Sequence, residues 1–243
     1  MKDIHKGDNG KMEQGRGERF ALLDLWRSLA VCMMVVWHAL YDLVDIGVLR
    51  YDFCATPGME IARYFIVCSF LLLAGISSRL SSNNERRCCR LIACAAIISF
   101  ATAIVGETVS FGILHLLSFC VLLYCFFGKQ INRLPLWTIV PLLAAFVPLH
   151  RWVYGIRVEI TWLWWLGFRT EEFFSADYYP VLPWSIFFII GVILGGRVSA
   201  WRRERIRVTS ALTWPGRHAL MIYLLHQPIL WGLARLYAIY FLA

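Results

Sequence analysis

The eight cysteines of this chain form no CxxC…CxxC pattern, which excludes the common zinc frameworks. Cys32, Cys68, Cys94, Cys120 and Cys125 stand inside apolar runs, where cysteine behaves as a small hydrophobe. Cys88 and Cys89 sit in a basic loop and Cys54 has no evident partner, so free thiols are expected rather than disulfides. No HxxxH or HxH pair occurs, so no metal is expected either. Asn-x-Ser/Thr sequons are absent. No internal repeat is evident, which weakens a transporter built from inverted repeats. No small-x-small cleavage site follows the first apolar run, so that run reads as an uncleaved anchor, not a signal peptide.

What the chain does have is apolar length. It is 59% hydrophobic over 243 residues, with a mean hydropathy of +0.61 and eleven Trp. A soluble domain is about half apolar, and Trp collects at membrane–water interfaces. Seven segments approach the ~20 apolar residues a spanning helix needs. They are Leu25–Val44, Met59–Ser78, Cys88–Val105, Phe111–Phe127, Leu134–His150, Val181–Val198 and His218–Leu242. The fold class predicted is therefore all-α: a polytopic membrane helical bundle of about seven spans. A polar tail over residues 1–24, rich in Lys, Arg and Gly, is expected to be disordered. Residues 25–243 are read as one transmembrane domain.

The charges orient this bundle. The net charge is +8, but the basic residues lie in short segments between apolar runs rather than on one soluble face. That distribution argues against nucleic acid as a partner. With the N-terminus cytoplasmic, 17 Lys/Arg fall on the inner side and four (Arg50, Arg151, Arg157, Arg169) on the outer side. Arg27, Arg63 and Arg235 lie within spans. The bias predicts an N-terminus inside and a C-terminus outside. The outer segment 151–180 carries Trp162, Trp164, Trp165 and Phe168, a cluster suited to an interfacial or re-entrant stretch or to a plain aromatic belt.

Ionisable groups inside spans are costly and mark functional sites by default. The first span carries Asp24, Arg27, His38 and Asp42. Arg27 and His38 are eleven residues apart, about 16 Å along a helix. This puts Arg27 near the cytoplasmic mouth and His38 past the midplane. His38 and Asp42 are four apart and share a helix face, so the carboxylate could fix the imidazole tautomer. A polar clasp between helices is the alternative. His115, in FGILHLLS, and His226, in IYLLHQP, fall at depths compatible with one shared site, and Pro228 can open backbone groups beside His226. Glu107 and Asp177 stand at the outer edge with Tyr178, Tyr179 and Pro180. Asp177 could cap the sixth span or bind an acceptor. Arg86, Arg87, Arg90 and the RRERIR run at 202–207 read as topology signal and lipid attraction, or as a dock for a phosphate-bearing donor.

Four pieces in order, RFALLDLWRSLAVCMMVVWHALYDL, FGILHLLS, SADYYPVLPWSIFFIIGVILG and GRHALMIYLLHQPIL, cover most of the chain after residue 18. Together they resemble the bacterial membrane family that shares the catalytic domain of heparan-α-glucosaminide N-acetyltransferase. Arg27 and His38 match the Arg-x10-His signature of the wider transmembrane acyltransferases. The resemblance implies a multi-pass protein of the bacterial inner membrane. It also implies transfer of an acyl group from cytosolic acetyl-CoA to a sugar hydroxyl or amine on the far side. The implied catalytic set is His38, Asp42, His115 and His226, with Arg27 toward the donor phosphates and Asp177 and Tyr178 toward the acceptor. Membrane lipids, acyl-CoA and a glycan acceptor are the implied partners, with a homodimer left open. Two departures stand out. Ser28 replaces the usual glycine after the arginine, and residues 45–60 lack the histidine assigned to catalysis in the animal enzymes. The base must then be His38, His115 or His226. The competing reading is a proton-coupled transporter or flippase of a lipid or glycan precursor, with the same residues as a proton relay.

Overall fold

The computed structural model describes residues 21–106, 108–198 and 209–241. Eight α-helices occur among them: α1 Ala21–Asp45, α2 Pro57–Leu80, α3 Asn84–Ile104, α4 Ile113–Ile131, α5 Ile139–Gly155, α6 Val181–Val198, α7 Ser210–Arg217 and α8 Ala219–Phe241. Short 3₁₀ turns precede α2 and α5, at Tyr51–Ala55 and Leu136–Thr138. Among the described residues there is no strand, only isolated bridges. Seven of the helices, the fifth counted with its 3₁₀ turn as Leu136–Gly155, are long and apolar enough to cross a membrane. The chain is an all-α, multi-span membrane protein. The seven expected spans each correspond to one of these helices, with ends displaced by a few residues. Helix α1 begins at Ala21, inside the 1–24 stretch read as a polar tail, and residues 1–20 lie outside the described ones. Glu107 and the 202–207 basic run lie outside the described residues.

The chain divides into two compact units. The first comprises residues 1–54 and 202–243 and contains α1, α7 and α8. Helix α1 ends in a Schellman motif. The Val48 N–H donates to Leu43 O at 2.9 Å and the Gly47 N–H to Val44 O at 3.0 Å. Gly47 sits between them at φ 79°, a left-handed conformation that glycine adopts without strain. Helix α7 packs along the start of α1. There the buried Ser28 hydroxyl donates to Asp24 O at 2.9 Å and accepts the Gly216 N–H at 2.8 Å. The departure from glycine at position 28 thus has a structural use: the hydroxyl ties the two helices together. The TWPGR stretch, which falls between the expected sixth and seventh spans, forms most of α7, and a turn at His218 separates it from α8.

The second unit, residues 55–201, contains α2 to α6. Pro57 opens α2, where a missing N–H costs nothing. Helices α2 and α6 pack most extensively. Gly75 faces the α6 backbone at Phe188 and Val192, and Gly191 faces the α2 backbone at Leu72. Gly191 and Gly195 form a GxxxG pair, and small residues of this kind let membrane helices approach closely without a hydrophobic driving force. The 156–180 segment folds back on this unit. Val181 and Leu182 N–H groups donate to Trp165 and Leu166 O, and Tyr179 N–H donates to Phe111 O at 3.0 Å. Trp164 packs edge-on to Phe111, and Trp165 lies against Phe119. The aromatic cluster therefore clasps the start of α4.

Candidate active site

Three of the sequence-predicted residues meet inside the first unit: His38 and Asp42 from α1, and His226 from α8. The two imidazoles stand 4.8 Å apart between ring centres, nearly edge to face. Their hydrogen bonds assign the tautomers. His38 Nδ1 lies 2.9 Å from Met34 O, one helical turn back. A carbonyl only accepts, so Nδ1 carries the hydrogen. His226 Nδ1 lies 2.8 Å from Tyr223 O and 3.2 Å from Ile222 O, so it too carries the hydrogen. His226 Nε2 then presents a lone pair, and it stands 3.4 Å from His38 Nδ1. The remaining nitrogen, His38 Nε2, is the lone pair with no hydrogen-bond partner among the described residues. Trp37 flanks His38 edge-on.

Asp42 plays a different part from the one its spacing suggests. Its carboxylate does not hold the His38 ring. One oxygen accepts from Gln227 Nε2 at 2.9 Å, while Oδ2 and Gln227 Oε1 have no hydrogen-bond partner among the described residues. Asp42 is only 4% exposed. The i to i+4 spacing places two side chains on one face, but the imidazole reaches its own helix carbonyl first. That is why Met34, not Asp42, orients His38. Gln227 gave no signal in the sequence beyond its place beside His226.

At the start of α1, Arg27 Nη1 pairs with Asp24 at 2.7 Å, and Arg217 Nε approaches the other Asp24 oxygen at 3.7 Å. Two guanidinium groups thus share one buried carboxylate, which leaves a net positive charge there.

His115 belongs to the second unit, and both of its nitrogens are engaged. Nδ1 accepts the Gly112 N–H at 3.3 Å at the start of α4. Nε2 donates to Ser99 Oγ at 3.0 Å, whose own hydrogen goes to Val109 O at 2.8 Å. This is a helix-capping histidine. Asp177 does not cap the sixth span. It accepts the Ile113 N–H at 3.1 Å and so caps α4, because the 156–180 segment returns beside Phe111. Burial pushes its carboxyl up to about 6, opposed by that N–H and by Arg63. The Tyr178 hydroxyl donates to Trp164 O at 2.6 Å, and Arg169 lies over the Tyr154 and Tyr178 rings. Burial raises the Tyr178 phenol above its ordinary range. Sequence reasoning passed over His150, which shares a hydrogen with the Tyr64 hydroxyl at 3.2 Å and stacks on Tyr154. Its place at a span end made it look like a boundary marker. Among the described residues no cluster of His, Cys, Asp or Glu is built to hold a metal.

A family model described as "Heparan-alpha-glucosaminide N-acetyltransferase, catalytic" matches residues 19–228, a stretch that runs through both units. No curated protein and no solved structure matches the chain. With well over half of the sequence matched, from the start of α1 to just past His226, the chain belongs to the heparan-α-glucosaminide N-acetyltransferase catalytic-domain family of membrane acetyltransferases.

Proposed function

We propose that this protein moves an acetyl group from cytosolic acetyl-CoA to a hydroxyl or amine of a sugar on the far side of the membrane, with His38 as general base. The observation that supports this most directly is the ordered histidine pair. Its hydrogen bonds leave one basic nitrogen, His38 Nε2, without a hydrogen-bond partner among the described residues. Family membership supplies the reaction class.

In this reading the acceptor O–H or N–H gives its proton to His38 Nε2 as its heteroatom attacks the thioester carbonyl. The positive charge that develops on the ring is met on Nδ1 by Met34 O and the His226 Nε2 lone pair. The carbon–sulfur bond then breaks, and the coenzyme A thiolate takes the proton back from Nε2. No net proton is consumed. Arg27 and Arg217 supply the net positive charge that draws the donor phosphates to the cytoplasmic end of α1. Asp42 and Gln227 hold acceptor oxygens one turn beyond the histidines, and His115 and Asp177 act by fixing the start of α4.

The test is transfer of label from acetyl-CoA to a cell-envelope extract by the purified protein, compared with His38→Ala. Positioned acid–base catalysis contributes about 10²–10⁴-fold, so the variant should lose at least ~100-fold. Full activity in His38→Ala would remove His38 from the chemistry.

A further inference from the structure

The second unit holds a concavity apart from the histidine pair, and it takes in Arg86 from the basic cluster singled out in the sequence. It is about 890 Å³ in volume, within the range of about 300–1,000 Å³ typical of small-molecule sites. The end of α2, the start of α3 and the end of α4 surround it, so three chain segments converge on one opening. Its lining is polar: Arg79, Arg86 and Lys129 stand against the single carboxylate of Glu85, among Ser81, Ser82, Asn83, Gln130 and Asn132. Asn83, at the N-cap of α3, makes no side-chain bond to the helix, so the first N–H groups of α3 keep their positive end toward this space. The neighbouring cations are turned elsewhere. Arg87 donates to Ala74 O and Ser78 Oγ, and Arg90 to the Arg86 carbonyl. By the charge bias this end of the unit is cytoplasmic.

We propose that this concavity binds an organic phosphate, with Arg86 and Lys129 as its main cationic contacts. Guanidinium forks and ammonium groups both bind phosphate, and hydroxyl and amide side chains supply the neutral hydrogen bonds around it. The phosphate has two sources: the adenosine bisphosphate end of coenzyme A, or the headgroup of an anionic lipid. The first source rests on the acetyltransferase reading; the second does not.

The experiment uses the full chain in nanodiscs of neutral lipid, titrated with adenosine bisphosphate and, separately, enriched with phosphatidylglycerol. The variants are Arg86→Gln and Lys129→Gln, both exposed and so tolerated by the fold, and Arg90→Gln as a neighbouring exposed cation outside the lining. Losing one charge-assisted contact should weaken binding about tenfold, and losing both about 100-fold. If the nucleotide shows this loss and Arg90→Gln does not, the site takes the donor nucleotide. If only the lipid's thermal stabilisation shows it, the site takes a headgroup. If neither ligand depends on Arg86 and Lys129, or if Arg90→Gln weakens binding equally, the proposal is overturned. Acetyl transfer is measured in parallel. Transfer with wild-type donor KM in both variants, together with unchanged binding, would refute this site and leave the acetyltransferase reading intact. Intact phosphate binding with no transfer by the wild-type chain would do the reverse.

Discussion

Replacing His226 with phenylalanine keeps a ring against His38 and removes the nitrogen that faces it. The loss can be scaled from the geometry. His226 Nε2 accepts from His38 Nδ1, a donor that in the proposed mechanism becomes positively charged as His38 takes the acceptor's proton. A hydrogen bond to a charged group contributes about 1.5–3 kcal/mol, which is about 10- to 150-fold in rate. The resting separation of 3.4 Å is longer than an ideal N–H bond, and Met34 O shares the same hydrogen at 2.9 Å. Both facts place the effect near the lower end, about tenfold. His38→Ala removes the proposed base itself and should cost at least ~100-fold. Because His226 acts only through His38, the double variant should be no slower than His38→Ala alone. Initial rates of label transfer, at saturating and limiting acetyl-CoA, decide this. The reasoning fails if His226→Phe costs as much as His38→Ala, or if the double variant shows the product of the two losses.

Four other outcomes are expected. Ser28→Ala leaves the buried Gly216 N–H without its acceptor and should cost about 1–3 kcal/mol, read as a lower Tm in detergent with the helix content unchanged. Gly191→Val drives a side chain into the Leu72 carbonyl, which cannot yield, and should destabilise by about 1–3 kcal/mol or more in the same assay. Asp177 holds its proton more tightly folded, up to about 6, than at the ordinary 3.8 of an unfolded chain, so its stabilising contribution is present at low pH and lost as pH rises through about 6. The stability of the wild type relative to Asp177→Asn should therefore fall between about pH 4 and pH 7, by at most ~3 kcal/mol; a difference flat with pH would contradict this. A membrane-impermeant maleimide should label Cys54 from the outer face of oriented vesicles and Cys89 from the inner face, Cys54 slowly because burial raises its thiol; labelling from the opposite faces would invert the proposed topology.

The seven spans were legible because apolar length is written locally, one run of ~20 residues at a time. Their ends were less so. Helix α3 begins at Asn84, four residues before the first apolar residue of its run, since Glu85 and the arginines that follow extend the helix as readily as leucine does. The break at His218 coincides with the expected start of the seventh span, but helix α7 itself was missed, because its eight residues, with Pro215 and Gly216 among them, carry no apolar run. His38 and His226 could be singled out as buried ionisable groups. Their pairing joins residues 188 apart in sequence, and their tautomers depend on carbonyl directions that only the folded helices define. Asp42 shows the limit of spacing arguments: a shared helix face brought it near His38, yet its partner came from α8. His115 was singled out by its place inside a span at a depth like that of His38 and His226, and nothing in FGILHLLS revealed that Gly112 and Ser99 would occupy both of its nitrogens.

The carbonyls behind the histidine pair have a consequence for proton traffic. A carbonyl oxygen receives a hydrogen bond but does not carry a proton onward. Behind His38 Nδ1 stand Met34 O and His226, and behind His226 Nδ1 stand Tyr223 O and Ile222 O. The pair is a cul-de-sac: what enters at His38 Nε2 must leave by the same door. Such a pair suits a base that lends and reclaims one proton within a single turnover, and it is a poor wire for carrying protons across a bilayer. Turnover should accordingly be indifferent to an imposed membrane voltage or pH gradient.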